Sequence, residues 1–182
     1  MNKTLFSAAL IAGLGIAALA PQAAKASDGT MTFNGKVVAS TCTVGVNGGG
    51  ASNSVTLPTV ATSALSSAGT VAAATPFSVK LTGCTFGTPG NIGLYFEPGT
   101  NTLADGNLKN TAATNNVEVQ LLNATQGVMT LNSASGSQNG STAAVTTASS
   151  SATLNYYAQY YAIAAASAGT VASTVTYSVV YP

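Results

Sequence analysis

Residues 170–181 read TVASTVTYSVVY. Laid out as an extended chain, this stretch puts Val171, Val175, Tyr177, Val179 and Tyr181 on one face. Successive side chains of a strand point to opposite faces, so a period of two in β-branched and aromatic residues predicts a half-buried β-strand. Working outward, the same signature recurs. Thr153–Ala162 is a tyrosine-rich strand candidate, and Ile92–Phe96 reads as a mostly buried one. Val117, Val119 and Leu121 alternate with Glu118 and Gln120, and Phe77, Val79 and Leu81 alternate with Ser78 and Lys80. Val55–Leu57 with Val60 is a short candidate. At the other end, Thr30–Ala39 places Met31, Phe33, Gly35 and Val37 opposite Thr32, Asn34 and Lys36. Turn signals separate these runs at Asn47–Gly50, Pro89-Gly90, Pro98-Gly99, Asp105-Gly106 and Asn139-Gly140. Many short strands in one domain predict an all-β sandwich. The Ser/Thr/Ala/Gly-rich stretch 133–151 lies between strands and reads as a long loop or edge strand, and the Ala-rich Ile163–Gly169 as at most a helical turn.

The first residues read as a targeting segment. Lys3 gives a positive start, Leu5 to Ala20 is apolar apart from Ser7, and Pro21 and the small-residue motif Ala24-Lys25-Ala26 follow. That order predicts a secretory signal peptide over 1–26, cut after Ala26; the apolar run is somewhat short for a membrane span. Export puts Cys42 and Cys84 in an oxidising compartment, where an even count predicts one disulfide. Two thiols without histidine do not make a tetrahedral metal site, so no metal is expected.

Charge narrows the function further. Beyond the leader, Lys36, Lys80 and Lys109 stand against Asp28, Glu97, Asp105 and Glu118, with no arginine or histidine. A nucleic-acid binder needs a basic footprint, which is missing, as is a polybasic membrane patch. With no histidine, a general base has to be lysine or a carboxylate, and no local motif supports a Ser–Lys dyad. Glu97 and Glu118 sit where strands are expected to turn polar residues to solvent, not where a carboxylate pair would do glycosidase chemistry. No enzyme activity and no cofactor are expected. A surface of Thr, Ser and Asn lacks strong self-repulsion and suits a molecule that packs against copies of itself.

One segment admits two readings. The alternating stretch Thr30–Ala39 would, on pattern alone, pair within its own sheet. Here, however, the chain resembles the type 1 fimbrial subunits of the chaperone–usher pathway. The resemblance is carried by Thr30–Ala39 followed by Cys42-Thr43-Val44, by Leu81–Cys84, by Asn155–Tyr161 and by Val175–Pro182 with its penultimate Tyr181. It implies an incomplete immunoglobulin-like sandwich over 42–182 that lacks its last strand, preceded by an N-terminal extension over 27–41. It also implies that Met31, Phe33 and Val37 fill a neighbour's groove, with Gly35 where a side chain would not fit, as a donor strand. Gly29 falls in the same row but offers no side chain. Val175, Tyr177, Val179 and Tyr181 would line the groove on the last strand. The implied partners are copies of itself, other pilus subunits, a periplasmic chaperone and an outer-membrane usher, and the implied location is a surface fimbria. A minor adaptor subunit would share these features. A sugar-binding tip adhesin would need a separate lectin domain, and Tyr156–Tyr161 reads as core more readily than as a sugar platform.

Overall fold

The computed structural model describes Met31, Thr32, Gly35, Val37 and residues 41–182. The domain carries seven strands: β1 (Thr41–Val46), β2 (Val71–Thr85), β3 (Gly90–Glu97), β4 (Val117–Leu122), β5 (Thr142–Val145), β6 (Ser151–Ala162) and β7 (Thr176–Val180). One sheet has the order β1-β2-β6-β4 and the other β5-β3-β7, with every pair antiparallel. Among the described residues there is no α-helix; a single 3-10 turn occupies Thr62–Leu65. The all-β sandwich expected from the alternation is the fold found.

The core follows from the pleat. Phe77, Val79 and Leu81 of β2 meet Leu154 and Tyr156 of β6 in register, and Ile92, Leu94 and Phe96 of β3 face them from the second sheet. Tyr156 lies at the centre, stacked on Phe77 at 5.5 Å and edge-on to Phe96 at 5.4 Å. Its hydroxyl donates to the Ser141 carbonyl at 3.2 Å, and burial pushes its phenol pKa well above the usual value. Each such fully buried large side chain contributes about 1.5–3 kcal/mol. Cys42 and Cys84 are bridged, tying β1 to β2 across a separation of 42 residues, worth roughly 4 kcal/mol by loop entropy. Pro76 sits in β2 opposite Tyr157, past the point where the β1 ladder stops at Val79, so its missing N–H costs no bond on the β1 side.

Four expectations need correction. Val55–Leu57 and Val60 form no strand: their burial alternates, but no neighbouring strand pairs with them. The final strand is shorter than the alternating stretch, because residues 170–174 are held by the 101–111 loop, through the side chains of Asn101, Asn110 and Thr111 and one backbone bond from Thr111 N, rather than by a ladder. The Ala-rich Ile163–Gly169 contains bends but no helical turn. Glu118 and Gln120 are buried, not solvent-facing. They join a chain of amides in which Asn107 Nδ2 donates to Glu118 Oε2 at 2.9 Å, Gln120 Nε2 to Asn107 Oδ1 at 3.1 Å, and Gln159 Nε2 to Gln120 Oε1 at 2.8 Å. The stretch 133–151, by contrast, does contain an edge strand, β5. The candidate strand Thr30–Ala39 lies largely outside the described residues.

Candidate functional site

β1 and β7 are the end strands of their sheets on the same side of the sandwich. β1 pairs with β2 alone and β7 with β3 alone, so each leaves one edge open among the described residues. Between them runs a cleft of about 880 Å³. Val44 and Val46 of β1 form one wall, and Val175, Tyr177 and Val179 form the other. Phe77, Val79, Phe96, Val119 and Leu121 make the floor, so the cleft opens directly onto the hydrophobic core. An unpaired edge above exposed core is unstable against association, and natural proteins cover such edges or use them.

The alternation in β7 explains the wall. Thr176 and Ser178 point outward, where both hydroxyls hydrogen-bond the Glu97 carboxylate, while Tyr177 and Val179 turn inward and are half-buried. The Tyr177 hydroxyl donates to the Ala51 carbonyl at 2.6 Å, which fastens the 51–57 segment along the cleft rim. Desolvation raises the Tyr177 pKa, so this hydroxyl stays a donor. Of the four residues expected on this wall, Val175, Tyr177 and Val179 line the cleft. Tyr181 is half-buried against the core but is not among the lining residues. Val171 and Ser173 line it too, beyond the four expected wall residues; their place four and two residues ahead of Val175, on the same period of two, is the signal that marks them.

The donor row expected at the other end is only partly described. Met31 is 83% exposed and Val37 wholly so, and Gly35 has open space where a side chain would stand. Phe33 lies outside the described residues.

An apolar cleft flanked by two open strand edges is what a two-sheet domain missing one strand presents. The sequence profile of the type-1 fimbrial protein A family matches residues 57–182. The chain belongs to that family. This fimbrial subunit is 46% identical over 121 residues to the major fimbrial subunit SMF-1 of Stenotrophomonas maltophilia, a match spanning 64% of this chain and 69% of that protein. It is 45% identical over 117 residues to the F17 fimbrial protein of Escherichia coli, spanning 60% of this chain and 63% of that one. Its fold matches a subunit in the structure of a chaperone–usher pilus with a TM-score of 0.58 at 20% identity, covering 90% of this chain and all of that one. The chain is thus a structural fimbrial subunit with the immunoglobulin-like sandwich of that family.

Proposed function

We propose that this structural fimbrial subunit polymerises by donor-strand exchange: residues 27–41 of one copy fill the cleft of the next. The observation that carries the reading is the cleft itself, bounded by the open edges of β1 and β7 and floored by core residues. A strand added there supplies backbone hydrogen bonds to an edge and places alternate side chains into apolar pockets. The row Met31, Phe33, Gly35 and Val37 has the right period and polarity for that role. In this reading residues 1–26 are a signal peptide, 42–182 the acceptor domain, and Val175, Tyr177, Val179 and Tyr181 its receiving strand. A periplasmic chaperone covers the cleft before assembly, and an outer-membrane usher hands the subunit to the growing surface fibre.

The test is to make the exchange intramolecular. A copy of residues 30–40 joined through a flexible linker after Pro182, with residues 27–40 removed, reaches its own cleft at millimolar effective concentration. Burying two or three further apolar side chains should raise the melting temperature by on the order of 10 °C or more. In the control, Phe33→Asp and Val37→Asp in the appended copy should abolish the gain. Equal melting of all three proteins as monomers overturns the proposal. In the intact chain, Phe33→Asp should leave a subunit that folds yet is not added to filaments.

A further inference from the structure

β3 ends at Glu97, opposite Thr176, so the wall residues ahead of Thr176 have no strand beside them. Val171, Ala172, Ser173, Thr174 and Val175 line the cleft all the same. This part of the wall needs a support other than a ladder.

The 101–111 loop supplies it, and Asn110 is its centre. Asn110 Nδ2 donates to the Thr170 carbonyl at 3.0 Å, and Ala172 N donates to Asn110 Oδ1 at 3.0 Å. One carboxamide thus takes the carbonyl before Val171 and the N–H after it. A residue of a parallel strand makes the same pair of bonds to its neighbour. The amide is buried and fully used: Nδ2 also donates to Asn115 Oδ1 at 2.9 Å, and Ala112 N donates to Oδ1 at 3.0 Å. Two hydrogens and two acceptor sites are all an amide has, so this one cannot turn over without setting donor against donor. Further along, Thr111 N and Oγ1 donate to the Ala172 carbonyl at 2.8 and 3.0 Å, and Asn101 Nδ2 donates to the Thr174 carbonyl at 3.2 Å. The loop therefore takes up backbone groups of residues 170, 172 and 174 in turn. Among the described residues, the backbone of Val171 and Ser173, between them, has no hydrogen-bond partner.

We infer that Asn110 is a positioning residue for the strand that fills the cleft: its carboxamide stands in for a missing neighbour and holds residues 170–174 extended as a receiving edge. The inference rests on the donor reading above and adds to it a residue outside the cleft lining. Without this hold, Thr170 and Ala172 lose their partners on the loop side, and the wall is no longer fixed where β3 has ended.

The test is hydrogen exchange in assembled filaments of the full chain. In wild-type filaments the amides of residues 27–41 should be protected. Asn110→Asp keeps an oxygen for Ala112 N and Ala172 N but sets a second acceptor against the Thr170 carbonyl and Asn115 Oδ1. Asn110→Ser is the gentler variant, since a serine can keep the local turn to Ala112 N but is too short to bridge Thr170 and Ala172. Where the Asp variant does not assemble, the Ser variant gives the reading. Exchange should rise about 10-fold at residues 170–174 and at one end of 27–41, with wild-type rates at the other end and in β2 and β6. A residue that only supports the fold would speed exchange across the domain and leave no contrast between the two ends. Wild-type rates throughout 27–41, or an even increase over segment and domain together, overturn the role of Asn110. Free exchange of 27–41 in wild-type filaments overturns the donor reading itself, and this inference with it.

Discussion

β4 and β7 each end a sheet, yet their free sides are treated in opposite ways. The outer side of β4 is closed by loops: Leu108 and Val119 exchange both backbone bonds at 2.8 and 2.9 Å, and Met129 N donates to the Leu121 carbonyl at 3.0 Å. The buried amide chain from Asn107 to Gln159 seals the same region. β7 has no such cover, and the cleft beside it reaches the core. One domain therefore holds an edge finished from within and an edge that stays open beside an apolar cleft among the described residues. The difference lies in which loops come back, not in the strands themselves, since both carry alternating β-branched residues.

Opening the closed edge should give the largest effect. Leu108→Pro removes the N–H that bonds the Val119 carbonyl and the fit of the bridge around it. A loss of about 3 kcal/mol or more is expected in urea unfolding, with new self-association through β4. Wild-type stability in this variant would mean the loop bridge is not what protects that edge.

A smaller effect is expected where a side chain stands in for a strand. β5 pairs with β3 only as far as Gly93. Further along, Gln138 takes over: Phe96 N donates to its Oε1 at 3.0 Å, and its Nε2 donates to the Phe96 and Leu131 carbonyls at 2.6 and 2.7 Å. Gln138→Ala leaves these buried groups unpaired and should cost about 2 kcal/mol by the same measurement. The closed side would thus weaken while the cleft is untouched.

At the open edge, Tyr177→Phe removes the bond to Ala51 but keeps the ring on the wall. The expected cost is about 1 kcal/mol, with faster amide exchange at residues 53–57 as the rim loosens. Unaltered exchange there would show that the segment is held by Val55 and Leu57 packing alone.

The smallest effect concerns pH. Burial raises the Glu118 pKa above 4.5; the Asn107 hydrogen bond opposes this and the Asp105 carboxylate adds to it. The folded chain therefore holds this proton more tightly than the unfolded one. The contribution is full below pH 4.5 and is lost as pH rises through the folded value. Glu118→Gln, neutral throughout, should flatten that decline in thermal melts recorded from below pH 4.5 to neutrality. A decline of the same size in the variant would assign it to another group.

Much of this was legible in the sequence, because a period of two reports a face directly. β2, β3, β4, β6 and β7 all lie where alternation put them, and the cysteine count gave the disulfide. What alternation does not report is a partner. Val55 and Leu57 alternate as a strand does but line a cleft rim without pairing. Glu118 and Gln120 look like solvent positions, yet loop residues distant in sequence bury them. Thr170–Val175 continues the β7 pattern, but Asn101 and Asn110 hold it by side chains, so the ladder starts only at Thr176. Val171, Val175, Tyr177 and Val179 were visible beforehand as one face of the stretch. Ser173 was not, because a serine in a Ser/Thr-rich stretch stands out only once its oxygen is seen buried.

The Gln138 clamp also decides where this subunit can carry a foreign peptide. Two serine-rich loops flank β5 and look interchangeable in composition. The turn at 146–149 closes on itself, through Ser149 N to the Thr146 carbonyl and Thr146 N to Ser149 Oγ, and its tip is exposed. The loop before β5 ends in the side chain that pins β3. An epitope spliced at Thr147-Ala148 would ride on the outside of every copy, whereas one spliced beside Gln138 would pull out the pin that keeps the second sheet closed.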